Sequence, residues 1–296
     1  MKKVRFQNHD CFLLENNFLQ MMISSSVGPR ILSLNLHGKQ NILAELPDFT
    51  TALPDGSAYH FMGGHRLWVA PEQMPATYDH DDKPVEVKFR DDGVLIIKKV
   101  EELSKIEKSI HVKLDPEKPL ISIKHYLKNT GKQSVECAPW AITQLKTGGV
   151  AILPQNGTDT GFLPNRSLVI WPYTDVKDSF FKWENNYIFL EAEVDSPFKI
   201  GFPNPRGWLA YWLDGGLFVK HAPFFAGSDY YDMGSSSECY CNDQFLELET
   251  LGPKTIIEPG KIVEHTETWE LFDLPEQPRS DEQIESLLLS LHSHNL

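Results

Sequence analysis

A two-residue rhythm constrains this chain more than any other feature. In residues 31–38, ILSLNLHG, Ile31, Ser33 and Asn35 fall on one side and Leu32, Leu34 and Leu36 on the other. Successive side chains of a strand point to opposite faces, so this pattern predicts a half-buried strand. Residues 18–24 form a similar run, separated from it by the turn Val27-Gly28-Pro29-Arg30. Residues 85–89 and 94–100 flank Asp91-Asp92-Gly93, a hairpin by pattern. Residues 106–114 and 120–127 flank Asp115-Pro116, and 135–145 follow a turn at 129–132. Later runs lie at 187–194, 208–213, 217–221, 245–251, 255–258 and 261–272. Many short strands with Gly, Pro and Asp turns predict an antiparallel sandwich or barrel. No repeat, low-complexity stretch or linker interrupts them, so one β domain over residues 1–296 is expected. Only the tail reads as helix. Ser280 and Gln283 make a capping box, and Ile284, Leu287, Leu288 and Leu291 recur at helical spacing. That helix is expected to pack on the outside of a sheet.

Charge excludes some partners. The chain carries 41 acidic and 28 basic residues, a formal net charge of −13. Phosphate binding needs clustered cations, so nucleic acid is not expected, and neutral sugars or small cationic ligands fit better. No run approaches the roughly 18 apolar residues of a membrane span, so no membrane partner is expected. Cys239 and Cys241 share one strand face, and with Cys11 and Cys137 they lack the CxxC spacing of a zinc or redox motif. The first residues hold two lysines but no apolar core of a signal peptide. A reduced, cytoplasmic protein is the expectation.

Two stretches concentrate chemistry. Residues 59–78, YHFMGGHRLWVAPEQMPATY, hold His60, His65, Arg66, Trp68 and Glu72 around Gly63-Gly64. Pro71 and Pro75 forbid a regular helix there, so an irregular, charged loop is expected, the kind of segment that carries binding chemistry. In DQFLELETLGP, Leu246 and Leu248 face one way, and Glu247 and Glu249 line up on the other, about 7 Å apart by strand rise. Two carboxylates side by side repel, which raises the pKa of one toward that of a neutral-pH base. A third stretch, residues 217–232, holds Lys220, His221, Phe224-Phe225, Asp229 and Tyr230-Tyr231. Aromatic faces beside carboxylates and basic groups suit a sugar, whose C–H faces stack and whose hydroxyls take charge-assisted hydrogen bonds.

The segment LELETLGPKTIIEPGKIVEHTETWELF resembles the last strands of the galactose mutarotase (aldose 1-epimerase) superfamily. Glu249 on its strand, the Pro259-Gly260 turn and the long run to Phe272 match that layout. GPRILSLNLHGKQNIL resembles the family's opening meander, and GGHRLWVAPE resembles an uncharacterised branch of it. The resemblance implies a β-supersandwich with a C-terminal helix, an open cleft on one sheet face and a small-molecule carbohydrate as ligand. It implies anomer interconversion by an acid and a base, with no cofactor; the His and Cys spacings match no metal-ligand set, so no metal is expected. Glu249 stands at the position of the family's base. The family's mid-chain histidine has no counterpart in LKNTGKQSVECAPWAITQLKTGG, which offers Trp140, Thr143 and Gln144. His65, at the family's early Asn-Arg position, and His221 are then the available acids, His65 the better. Arg66, Glu72, Trp140, Lys220 and Glu249 are expected to converge on one concave face, with Gln144 and Glu247 as further substrate contacts. The missing histidine also fits a carbohydrate-binding module without catalysis. A cupin-like metal-dependent sugar isomerase built on His60, His65 and Glu72 is a further alternative, though cupin spacing puts two histidines two apart.

Overall fold

The computed structural model of the chain describes residues 2–293, with side chains through Leu289. Its strands alternate between two large antiparallel sheets. Strands β1 (Lys2–Phe6), β2 (His9–Glu15), β3 (Leu19–Ser24) and β4 (Arg30–Leu36) form a meander at one edge of the first sheet. A hairpin, β5 (Glu45–Ala52) and β6 (Ala58–Gly63), stands apart, and β7 (His65–Ala70) rejoins the sheet beside β4. Strands β8 (Glu86–Arg90), β9 (Gly93–Ile97), β10 (Ile106–Leu114) and β11 (Leu120–Asn129) build an edge of the second sheet. Next β12 (Val135–Lys146) pairs with β7, β13 (Val150–Pro154) returns to the second sheet, and β14 (Val169–Ile170) edges the first. Strands β15 (Phe181–Trp183) and β16 (Tyr187–Glu191) belong to the second sheet and β17 (Phe198–Phe202) to the first. Then β18 (Trp208–Leu213) and β19 (Gly216–His221) extend the second sheet, while β20 (Ser237–Cys241) and β21 (Phe245–Leu251) join β17 to β12 in the first. A short β22 (Thr255–Ile257) pairs with the start of β12, and β23 (Ile262–Asp273) lies between β19 and β11.

Inward-facing positions of both sheets make the main core, with Leu34, Ile123, Leu153, Phe198 and Trp269 among its buried members. The outer face of the first sheet carries a second, aromatic cluster with Tyr59, Trp68, Trp140 and Leu251. The tail forms the expected helix, Asp281–Ser293. Ile284 is buried against the outer face of the second sheet, with Leu287 and Leu288 beside it. Leu291 lies outside the described side chains. The Ser280 hydroxyl accepts from Gln283 N at 3.4 Å, whereas the Gln283 side chain accepts from Arg279 N rather than Ser280 N.

Two expectations are corrected. Residues 59–63 and 65–70 are strand, not irregular loop: β6 ends at Gly63, β7 begins after Gly64, and the irregular part begins at Pro71. Prolines bar helix downstream and bias the residue before them toward extended backbone, so they are compatible with a strand ending at Ala70. HRLWVA alternates, with Arg66 and Trp68 outward and His65 and Leu67 inward. The two glycines are obligatory, because both have positive φ and an added Cβ would lie 2.0 Å from Ala44 O or 2.2 Å from Ile31 O. The even alternation of β4 is also broken. The pairing slips between Met22–Ser33 and Ile23–Ile31, so both Ile31 and Leu34 reach the main core while Leu32 packs outside it.

Arg30 holds these parts together. Its guanidinium is fully buried and donates to Asp81 at 2.9 Å, to the carbonyls of Phe61 and Gly63, and to Tyr59 Oη. It thereby clamps β6 and the segment after Pro71 onto the first sheet. Replacing Arg30 with Met leaves Asp81 facing a buried site without its cation. The expected cost is about 3–5 kcal/mol in denaturant unfolding. A loss below about 1 kcal/mol would show that the clamp does not hold the fold.

Candidate ligand-binding groove

Strand pairing decides which charged side chains meet. Across the outer face of the first sheet, Arg66 of β7 pairs with Ile142 of β12, Ile142 with Glu249 of β21, and Glu249 with Glu238 of β20. One step along, Gln144 pairs with Glu247, Glu247 with Tyr240, and Tyr240 with Lys199 of β17. Paired residues share a face, so period two collects these groups on one surface. Above it lies a groove of about 290 Å³, lined by Arg66, Trp68, Trp140, Lys199, Tyr240 and Glu247. The β5–β6 hairpin adds Phe49 and Phe61, and the segment after β7 adds Glu72 and Tyr78. That segment is a fixed wall, because Asp81 is paired with Arg30 at 2.8 Å and Asp79 with Lys98 at 2.9 Å.

The charges are paired in a definite order. Arg66 Nη2 donates to Glu247 Oε1 at 3.1 Å, and the guanidinium stacks 4.2 Å from the Trp68 ring. Lys199 Nζ bridges Glu238 at 2.7 Å and Glu249 at 3.0 Å, and lies 4.8 Å from the rings of both Trp140 and Trp171. Trp140 Nε1 donates to Glu249 Oε2 at 2.7 Å. Glu72 accepts from the Tyr78 hydroxyl and is not the partner of Arg66. Several buried polar atoms lack a protein partner: Arg66 Nε and Nη1, both ends of the Gln144 amide, and Glu249 Oε1. Orphans of this kind are rare in folded proteins and concentrate where function requires them.

Glu247 and Glu249 differ in kind. Glu249 is fully buried beneath Trp140 and Lys199 and does not line the groove. Glu247 does line it. Burial pushes the Glu247 carboxyl up to about 7, with Arg66 opposing and Glu249 adding to the rise. Burial likewise holds Glu238 well above the ordinary carboxylate range, with neighbouring Glu249 adding to it against Lys199. For Lys199, burial works against the ammonium, and Glu238 and Glu249 together outweigh it and keep it charged.

Of the residues expected to converge, Arg66, Glu72, Trp140 and Glu247 line the groove, with Glu249 directly beneath; Gln144 is sealed on the same side of β12. His65 and Lys220 do not join them, a correction that follows from strand parity. His65 follows Gly64 and points between the sheets, and Lys220 points inward from β19. His221 points from β19 to the far side of the second sheet, where it pairs with Glu270 at 3.0 Å. The cupin-like set is also divided, since His60 and Glu72 are exposed while His65 is sealed.

Between the sheets His65 enters a different network. His125 Nδ1 lies 3.0 Å from the carbonyl of His265, so it carries the proton and donates. His125 Nε2 must then accept from His65 Nε2–H at 2.7 Å, and His65 Nδ1 accepts from the Thr143 hydroxyl at 2.9 Å. Thr143 in turn accepts from Lys220 Nζ at 3.1 Å. Lys220 pairs with Glu267 at 2.9 Å, and Glu267 also accepts from Thr250 and from Trp269 Nε1. Burial lowers all three histidines, His65 well below its usual value and His265 to about 3, so all are neutral near pH 7. His65, His125 and Glu267 present ligand atoms within 4.8 Å of one another. A proton lies between the two rings, and Glu267 is paired with Lys220.

Sequence reading missed Lys199 and Glu238, and it names Tyr240 only as aromatic company for the two glutamates. The signal existed: with Cys239 and Cys241 on one face of SECYC, Glu238 and Tyr240 must share the other. Lys199, a lone cation inside the apolar run PFKIGF, was the remaining clue.

Glu247 generates a pH prediction. Its folded pKa is raised, so the stability it contributes is complete below the ordinary value of 4.5 and is lost as pH rises through about 7. A Glu247→Gln variant carries no such proton. Its stability relative to wild type should therefore rise between about pH 5 and about pH 8, measured by urea unfolding. A difference that does not change over that range would refute the raised value.

No protein-family model matches the sequence, and no curated protein matches it. Solved structures do. A TPR-domain containing protein from Parabacteroides distasonis superposes with a TM-score of 0.64 at 15% identity over 93% of this chain. This chain spans about half of that protein, 51%. A candidate aldose 1-epimerase from Klebsiella pneumoniae gives 0.60 at 10% identity, covering 97% of this chain and 84% of that one. A galactose mutarotase-like protein from Lactobacillus casei gives 0.56 at 12% identity, covering 88% and 100%.

Proposed function

From a galactose mutarotase-like fold with a charged, aromatic groove on one sheet, we propose that this protein binds a carbohydrate there and moves protons on it through Glu247. The observation that carries this reading is the position of Glu247. It is a carboxyl that lines the groove and shares one oxygen with Arg66, and burial pushes it up to about 7. A group with a pKa near the working pH is the efficient acid or base. Glu247 as carboxylate accepts the proton of an anomeric hydroxyl, and as carboxylic acid it returns one to the ring oxygen. Ring opening, rotation about the first carbon–carbon bond and closure then exchange the anomers. Arg66 stabilises the carboxylate before the first transfer and after the second, and Phe49, Tyr240 and Phe245 offer rings to the sugar's C–H faces. Glu249 positions Trp140 and Lys199 rather than reaching the ligand. The absence of any histidine among the groove-lining residues favours a second reading, carbohydrate binding without catalysis.

A cytoplasmic setting belongs to this proposal. It rests on four unpaired, buried cysteines. Among the described residues no helix is long and apolar enough to cross a membrane.

Polarimetry on freshly dissolved α-glucose and α-galactose tests the catalytic step. Wild type should accelerate mutarotation, and Glu247→Gln should lower that rate roughly 10²–10⁴-fold with little change in binding. Full activity in Glu247→Gln would remove Glu247 from the chemistry. No acceleration by wild type, with monosaccharides still raising the melting temperature, would leave the binding reading alone.

A further inference from the structure

A second pocket, of about 420 Å³, opens near the far end of β17. Its lining includes Gln155, Asn165, Arg166, Ser167, Pro203 and Phe224. Strand parity ties it to the groove. In β17, Lys199 and Gly201 share a face, and Pro203 continues the same parity beyond the strand end. On the edge strand β14, Val169 pairs with Gly201, so Ser167, Val169 and Trp171 follow the same side. The groove ends at Lys199 and Tyr173, and the second pocket begins at Pro203 and Ser167. The two are separated by about 13 Å of strand, four residues at a strand's rise. That is longer than one pyranose ring.

The intervening surface is an aromatic platform. Trp171 is half-buried, and its ring is held 4.8 Å from Lys199 Nζ. It lies over Gly201, where an added Cβ would meet Ser235 Oγ at 2.4 Å and the indole at 3.2 Å. A side chain at Gly201 would collide with Ser235 and press on the ring. The second pocket offers matched polar groups. The Gln155 and Asn165 amide nitrogens and Arg166 Nε are spent on backbone carbonyls, which fixes the side chains and leaves both amide oxygens and Arg166 Nη2 open. Phe224 stacks on Tyr230 at 9° and 5.7 Å, which fixes its ring at the pocket wall.

We infer that the groove continues over Trp171 into this pocket and that the ligand is an oligosaccharide rather than a monosaccharide. One sugar unit occupies the groove, a neighbour stacks on Trp171, and the next meets the amides of Gln155 and Asn165. This rests on the carbohydrate reading of the groove and extends it to a chain of sugars.

Calorimetric titration of the full chain with glucose, galactose, maltotriose, cellotriose and galactotriose tests it. At least one trisaccharide should bind about tenfold more tightly than its monosaccharide, the worth of a further stacked ring. Ser167 is exposed, so Ser167→Tyr fills the second pocket without disturbing a packed site. That variant should bring the trisaccharide-to-monosaccharide ratio close to one. Equal affinity for mono- and trisaccharide in wild type, or a ratio that Ser167→Tyr does not alter, overturns the extension while the groove reading stands. Binding of none of these sugars overturns both.

Discussion

The groove rests on one buried ammonium. Lys220 reaches across the space between the sheets and donates to the backbone carbonyls of Ala141 and Leu248, at 3.0 Å each. Those carbonyls belong to β12 and β21, the two strands that carry Trp140, Gln144, Glu247 and Glu249 on their opposite face. Glu267 of β23 holds Lys220 in place, and Thr143 links it to the histidine chain. A buried charge of this kind costs several kcal/mol to desolvate and is tolerated only with excellent geometry. Lys220 has four oxygen neighbours within 3.1 Å. It stitches the two central strands of one sheet to the other sheet.

The outer face shows the same logic with an opening left in it. Lys199 bridges Glu238 and Glu249 below the surface, and Trp140 and Trp171 cover the ammonium. Arg66 and Glu247 are a pair too, but theirs is incomplete. Arg66 has five donors and gives one hydrogen bond to Glu247, while the Glu247 carboxyl borders the groove. Burial raises the Glu238 carboxyl and its acidic neighbours keep Lys199 charged, whereas the Glu247 carboxyl at the groove is pushed up to about 7. A carboxyl whose pKa lies near neutrality beside a groove is the arrangement that the proposed acid–base step uses.

Loss of the expected histidine in the groove has a geometric cause. Gly64 places His65 one residue before Arg66, and on a strand one residue is the difference between the two faces. Arg66 therefore reaches the groove and His65 the interior, where burial keeps it neutral. Sequence adjacency suggested a shared cleft. Strand parity forbids it.

Much was legible from residue order. The two-residue alternation, the turn residues and the capped tail specify an antiparallel β protein with one C-terminal helix, because period and turn chemistry are local properties. The same alternation put Glu247 and Glu249 on one face and leucines on the other, and it holds in β21. It could not say that β21 lies between β12 and β20, since pairing is set by chain closure over as many as about a hundred residues. That placement decided which carboxylate borders the groove, which is sealed beneath a tryptophan, and that Lys199 and Glu238 belong to the site. It also separated His65 and Lys220 from the charges they stand near in sequence. Local spacing selects the face of a strand, whereas burial and partners depend on which strands become neighbours, and only the folded sheets determine that.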